Sequence, residues 1–271
     1  MVHLPVFYDG IPNWQKEKYL QFKIQHPYHF YTSNGLEWRY ISKGKGEMTM
    51  VFLPGLVFDV NMWFYPILEL EKSVHILAIN LPLTLPSPDV IIESVSQIIA
   101  KQSEDKVVII GTSFTGLLAH HLIKRFPDRF QKVVISHTDY PSPQAKKSMQ
   151  HLIWLARLAP LSKIMNVFRK RRKYFPDSPW NKFVLAYLNE ILQKVNKKML
   201  INQFKAFNDL YQLELKPVPD WEGEALIVSS LDDRRTLQSV SLFKGLYQHC
   251  REYIFEKGGH YPIGYFPEEF T

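Results

Sequence analysis

Lys106-Val107-Val108-Ile109-Ile110-Gly111-Thr112-Ser113-Phe114-Thr115-Gly116 joins two structural patterns within eleven residues. Its first half is short, apolar and β-branched, the pattern of a strand buried on both faces of a parallel sheet. Beyond it, Leu117, Leu118, His121, Leu122 and Phe126 recur at helical spacing until Pro127 closes the run. A serine on such a strand-to-helix turn is forced out above the sheet with its hydroxyl presented. The flanking glycines let the turn close and the helix pack against the strand. Taken alone, the motif also suits an ordinary Gly/Ser/Thr turn in any α/β protein.

Outward from this turn, strands and helices alternate. Tyr28–Thr32 and Leu36–Ile41 flank Ser33-Asn34-Gly35, and Asn-Gly between β-rich runs predicts a hairpin. Met48–Leu53 and Val74–Ile79 read as strands, and a helix through Val90, Ile91, Val95, Ile98 and Ile99 leads to the Ser113 segment. Lys132–Ser136 and Ala225–Ser229 are further strands, and Tyr253–Phe255 is the last, before the loop that holds His260. Between them, residues 143–217 carry only helical patterns. The expected fold class is therefore α/β, with a mostly parallel central sheet, helices on both faces and a helical insertion. The expected organisation is an N-terminal extension over 1–27, a core formed by 28–142 and 218–271, and the insertion over 143–217.

The composition limits the class. With 271 residues, 46% apolar and 22% charged, the chain suits one large globular core with an insertion. Cys250 is the single cysteine, so no internal disulfide forms and a reducing, cytoplasmic setting is expected. It falls at the end of the amphipathic run Val240, Leu242, Phe243, Leu246 and Tyr247 and reads as a structural thiol. No apolar stretch is long enough for a membrane-spanning helix, and the first fourteen residues lack the apolar core of a signal peptide. No cluster has metal-ligand spacing and no glycine-rich loop suits a phosphate, so no metal and no cofactor is expected.

Acyl transfer needs a nucleophile, a base to take its proton, an acid to orient the base, and donors for the developing oxyanion. Candidates arrive in that order: Ser113, then Asp232 and Asp233 beyond a strand end, then His260 in Lys257-Gly258-Gly259-His260-Tyr261-Pro262. Asp139, after the strand through Ile135, is a further candidate acid. Ordinary turn chemistry accounts equally for an aspartate at any of these places. His120 and His121 read as structural residues of the helix after Ser113, and His137, following a strand top, as a residue that could line the pocket.

Five segments in order resemble the α/β-hydrolase-fold serine hydrolases over nearly the whole chain. Pro54-Gly55 with Trp63 is similar to the family's oxyanion segment, with proline in place of its histidine. Asn80-Leu81-Pro82 resembles the turn after the fourth strand, although Leu83, Leu85 and Pro86 stand where glycines are usual. The Ser113 turn continues through Phe126-Pro127-Asp128-Arg129-Phe130 as in that family, with Thr115 replacing its second glycine. Ser230-Leu231-Asp232-Asp233 resembles the acid turn, and Gly259-His260-Tyr261-Pro262 with Pro267-Glu268-Glu269-Phe270 the histidine loop and the start of the following helix. That helix is cut short at Thr271. The resemblance implies Ser113 as nucleophile, His260 as base, Asp233 as the orienting acid ahead of Asp232 and Asp139, and the backbone N–H groups of Leu56 and Phe114 as oxyanion donors. At Thr115 it implies a Cβ where the helix normally crowds the strand, and so a distorted turn.

The resemblance further implies a cap over 143–217 and a small apolar ester-like substrate (carboxylic ester, lactone or thioester) cleaved through an acyl-enzyme. Segment spacing is also similar to the maspardin-like branch, which implies instead a non-catalytic binding or adaptor protein. Of the +7 net charge, much sits in Arg169-Lys170-Arg171-Arg172-Lys173, which suits an anionic membrane surface or a solvated helix end. No nucleic-acid-binding module surrounds it.

Overall fold

The Asn34-Gly35 turn closes a hairpin in which β1 (His29–Ser33) runs antiparallel to β2 (Leu36–Lys43), with Ser33 opposite Leu36. Both turn residues have positive φ, 52° and 71°, as a two-residue connection between right-twisted strands requires. The computed structural model describes residues 4–170 and 178–271. β3 (Thr49–Leu53), β4 (His75–Asn80), β5 (Val107–Thr112), β6 (Phe130–Ser136), β7 (Glu224–Ser230) and β8 (His249–Phe255) complete one sheet. Its order is β1-β2-β4-β3-β5-β6-β7-β8. β2 is antiparallel to β4, and from β4 to β8 every pairing is parallel. This is the expected mostly parallel α/β sheet with helices around it.

Those helices are α1 (Asn13–Gln25), α2 (Phe64–Leu70), α3 (Pro88–Gln102), α4 (Phe114–Arg125), α5 (Pro143–Leu158), α6 (Leu161–Lys170), α7 (Pro179–Lys194), α8 (Lys197–Gln212), α9 (Arg234–Lys244), α10 (Pro262–Tyr265) and α11 (Pro267–Phe270). Every residue of β5 is buried, which is why its sequence is continuously apolar rather than alternating. α4 packs on β5 and β6 and buries ten of its residues, from Phe114 to Ile123.

Within 143–217 the described elements are the helices α5 to α8, the last of which ends at Gln212. Ser142, Ser178 and Asn196 cap α5, α7 and α8 by accepting from the N–H groups of Ala145, Asn181 and Met199. Pro143 and Pro179 occupy first-turn positions where no N–H is needed. The block meets the carboxyl ends of the strands. Gln203 on α8 takes the Val57 N–H at 2.8 Å, and the Phe207 ring meets Phe114 edge-on at 5.4 Å.

Residues 4–26 lie against α7 and α2. Tyr19 packs edge-on to Phe64 and Phe183, both at 5.1 Å, and the Tyr8 hydroxyl donates to Glu190 at 2.8 Å.

β8 begins at His249, four residues before the strand read from sequence. Cys250 is consequently a half-buried strand residue and does not end a helical run. As the outermost strand, β8 carries exposed Arg251 and Glu252, which erase the apolar period that marks an interior strand. Of the basic run 169–173, Arg171, Arg172 and Lys173 lie outside the described residues. Among the described residues, no helix is long and apolar enough to cross a membrane.

Candidate active site

Three chain reversals at the carboxyl edge of the sheet place a non-glycine residue at positive φ: Val57 beyond β3 (64°), Ser113 after β5 (55°) and His137 after β6 (46°). L-residues enter this region only where surrounding contacts hold them. At Ser113 those contacts are explicit. Its N–H donates to the Ser136 carbonyl at 2.8 Å, and its carbonyl accepts from the Thr138 hydroxyl at 3.0 Å and the Gly116 N–H at 3.2 Å. A Cβ on Gly116 would stand 2.0 Å from Thr138 Oγ1, so only glycine lets α4 approach that closely.

Thr115 does not distort the turn as its Cβ suggests. Its side chain is fully buried, and its hydroxyl accepts the Thr112 N–H at 2.9 Å while facing the carbonyls of Thr112 (3.0 Å) and Leu53 (3.1 Å). The threonine thus satisfies a backbone donor inside the turn and ties β5 to the end of β3.

The structure brings Ser113, His260 and Asp233 together across 147 and 27 residues of chain. His260 Nε2 stands 2.9 Å from Ser113 Oγ, and His260 Nδ1 stands 2.7 Å from Asp233 Oδ2. Burial works against the charge on Asp233, but the hydrogen bond and positive field of His260, with a hydrogen bond from Thr236, outweigh it. The carboxyl is held down to about 2. Asp233 is therefore ionised at neutral pH and can only accept, so His260 Nδ1 donates to it while Nε2 faces the Ser113 hydroxyl.

The other two aspartates point elsewhere. Asp232 accepts the Gly259 N–H at 2.8 Å, so it ties down the histidine loop, where Gly258 and Gly259 both have positive φ. Asp139 pairs with Arg235 and accepts from the Ser239 hydroxyl at 3.3 Å. Neither of these two carboxylates bonds to His260.

His137 lies beneath His260, with ring centroids 6.2 Å apart and planes nearly perpendicular. It is fully buried and bonded to Ser136 Oγ at 2.9 Å and Ser230 Oγ at 2.8 Å, so it supports the floor and does not line a pocket. Burial, with the field of His260, lowers it to about 3 and keeps it neutral. His120 and His121 are buried in α4, as expected of structural residues.

The Gly55–Phe58 turn also flanks Ser113. A Cβ at Gly55 would lie 3.8 Å from Ser113 Cβ, and Phe114 opens α4 on the other side of the serine. Beyond the turn, Phe58 stacks on Tyr261 of the histidine loop (5.0 Å, 11°), and Asp59 takes the Tyr187 hydroxyl of α7 at 2.8 Å. Among the described residues, no group of three or more His, Cys, Asp or Glu side chains could hold a metal ion.

No protein-family model matches the chain, and no curated protein matches it. Solved structures do. A hydrolase from Pseudomonas aeruginosa PA01 superposes with a TM-score of 0.75 at 18% identity, covering 90% of this chain and 95% of the other. An esterase from Exiguobacterium antarcticum gives a TM-score of 0.75 at 16% identity, over 90% and 96% of the two chains. The enol-lactonase from Burkholderia xenovorans LB400 gives 0.71 at 18% identity, over 89% and 96%.

Proposed function

We propose that this chain, which has the α/β-hydrolase fold, is a serine hydrolase that cleaves a carboxylic ester, lactone or thioester through an acyl-enzyme. The observation that carries the reading is the continuous relay from Asp233 through His260 to Ser113, at 2.7 and 2.9 Å. Ser113 Oγ attacks the substrate carbonyl while His260 Nε2 takes its proton. The charge that develops on the carbonyl oxygen is met by the backbone N–H groups of Leu56 and Phe114, the second reinforced by the amino end of α4. His260 returns the proton to the leaving group, and a water deacylates Ser113 by the same route. Asp233 holds the ring in the working tautomer and stabilises the imidazolium formed on the way.

In this reading residues 143–217 act as the cap and residues 1–27 as an arm that braces it, with 28–142 and 218–271 as the core. Phe114 and Phe207, packed edge-on, then fasten the cap to the core beside Ser113. A small apolar ester is the expected substrate and the cytoplasm the expected setting.

A fluorophosphonate probe tests the proposal. Labelling of the wild-type protein that is lost in Ser113→Ala and in His260→Ala supports it. Absence of both labelling and ester hydrolysis in correctly folded wild-type protein sinks it and leaves the binding-protein alternative. A series of acyl chain lengths on one chromogenic alcohol then places the preferred substrate.

A further inference from the structure

Against the Gly55–Phe58 turn lies a cavity of about 190 Å³, bounded also by the middle of β2, the end of β4 and helices α7 and α8. Neither Ser113 nor His260 lines it. Leu81, Leu85, Ile191 and Val195 form apolar walls, and Arg39 and Asn80 supply polar groups. Those two residues are direct partners across the β2–β4 ladder, so their side chains rise from the same face of the sheet.

Both have donors to spare. Asn80 is 3% exposed, and its Oδ1 accepts the Val60 N–H at 2.9 Å, whereas its Nδ2 faces the Tyr28 hydroxyl without making a hydrogen bond of normal geometry. An unused buried donor is costly, and this one stands in the wall of a cavity. The Arg39 guanidinium lies over the Tyr28 ring at 5.3 Å, and among the described residues no carboxylate stands within salt-bridge distance of it. The other charges at the rim are already matched. Lys23 and Lys194 reach Glu190 at 2.8 and 3.3 Å, and Asp59, which takes the Tyr187 hydroxyl, also faces Lys194 at 4.0 Å.

We propose that this cavity binds a short aliphatic carboxylate, with its chain between Leu81, Leu85, Ile191 and Val195 and its carboxylate shared by Arg39 and the Asn80 amide. A carboxylate fits a planar guanidinium with two parallel hydrogen bonds, and Arg39, with no carboxylate partner among the described residues, calls for a monoanion. The volume corresponds to roughly six water-sized groups at about 30 Å³ each, well below a site for a drug-sized ligand. The ligand is therefore a chain of a few carbons whose head lies at the rim. The cavity shares the Gly55–Phe58 turn, Leu56 included, with the proposed oxyanion hole, but binding there needs no reaction at Ser113.

Calorimetric titration of the full chain with hexanoate tests this, with hexylammonium as the control of opposite charge. One saturable site with Kd on the order of 1 mM or tighter is expected for hexanoate, and none for hexylammonium. Arg39→Gln should weaken binding at least tenfold, and Leu81→Trp, which fills the cavity from its half-exposed edge, should abolish it. Ser113→Ala should bind as the wild type does, which separates this site from the proposed catalytic one. No saturable hexanoate binding overturns the proposal. So does equal binding of hexylammonium, binding indifferent to both cavity variants, or binding lost in Ser113→Ala.

Discussion

The Thr115 hydroxyl accepts the Thr112 N–H at 2.9 Å and so occupies the inside of the turn that presents Ser113. From sequence this residue is the one most able to spoil the turn, whereas in the structure it braces it. Thr115→Val should leave the Thr112 N–H buried without a partner and cost about 1–3 kcal/mol in urea unfolding. Thr115→Gly, which removes the hydroxyl altogether, should also destabilise. A glycine variant as stable as the wild type would show that the hydroxyl contributes nothing.

Asp233, Asp232 and Asp139 should separate cleanly in ester hydrolysis. Asp233→Asn removes the charge that fixes the His260 tautomer, and kcat/KM should fall by on the order of 10³–10⁴. Asp232→Asn keeps an acceptor for the Gly259 N–H and should stay within about tenfold of the wild type, while Asp232→Ala loosens the loop and loses more. Asp139→Asn should hardly change the rate. A larger loss at Asp139 than at Asp233 would mean that the acid has been misassigned.

Acid should weaken the fold from near neutrality. Burial holds His137 and His120 down to about 3 and His121 to about 4, each from 6.5. Between roughly pH 6 and 4 the unfolded chain therefore binds protons that the folded chain refuses. Stability then falls as pH falls, by on the order of 1 kcal/mol per pH unit for each histidine. Asp233, held down to about 2 from 3.8, adds a loss in the same direction at lower pH. Urea midpoints at pH 7, 6 and 5 measure the slope, and His137→Gln should make it shallower by about one proton. An unchanged slope in that variant would contradict the assignment.

Gly116→Ala should be among the most damaging single-methyl additions in the chain. Its Cβ would meet Thr138 Oγ1 at 2.0 Å, and that hydroxyl holds the Ser113 carbonyl. A loss of about 1–3 kcal/mol with reduced probe labelling is expected, and thermal melts with labelling rates check both.

Much of this arrangement was legible in the sequence because it is written locally. β5 is continuously apolar because both its faces are covered, Asn34-Gly35 announces its hairpin, and Ser113 sits at the change of period. Asp233 could be ranked above Asp232 only through resemblance, since neighbouring carboxylates in one turn differ in direction and direction is a property of the fold. The roles of Thr115 and His137 were hidden for the same reason. A hydroxyl or imidazole shows its purpose only when its distant partners, Leu53 or Ser230, arrive beside it. Asn80 and Arg39 were invisible as a pair until β2 met β4. The first half of β8 leaves no such mark, because an edge strand with charged residues loses its alternation.

Residues 4–26 meet Glu190 through Tyr8 and Lys23, partners 182 and 167 positions away in the chain. Contacts so remote are closed at a high entropic cost and contribute only once the intervening sheet has formed. The first segment to be synthesised is thus expected to be among the last to settle. In pulse-labelled hydrogen exchange during refolding, α1 amides should gain protection after those of β3, β5 and β6. Simultaneous protection would rule this order out. The burial of Glu190 would then act as a late seal on the folded chain, with Lys23 arriving to neutralise a carboxylate that already has its place.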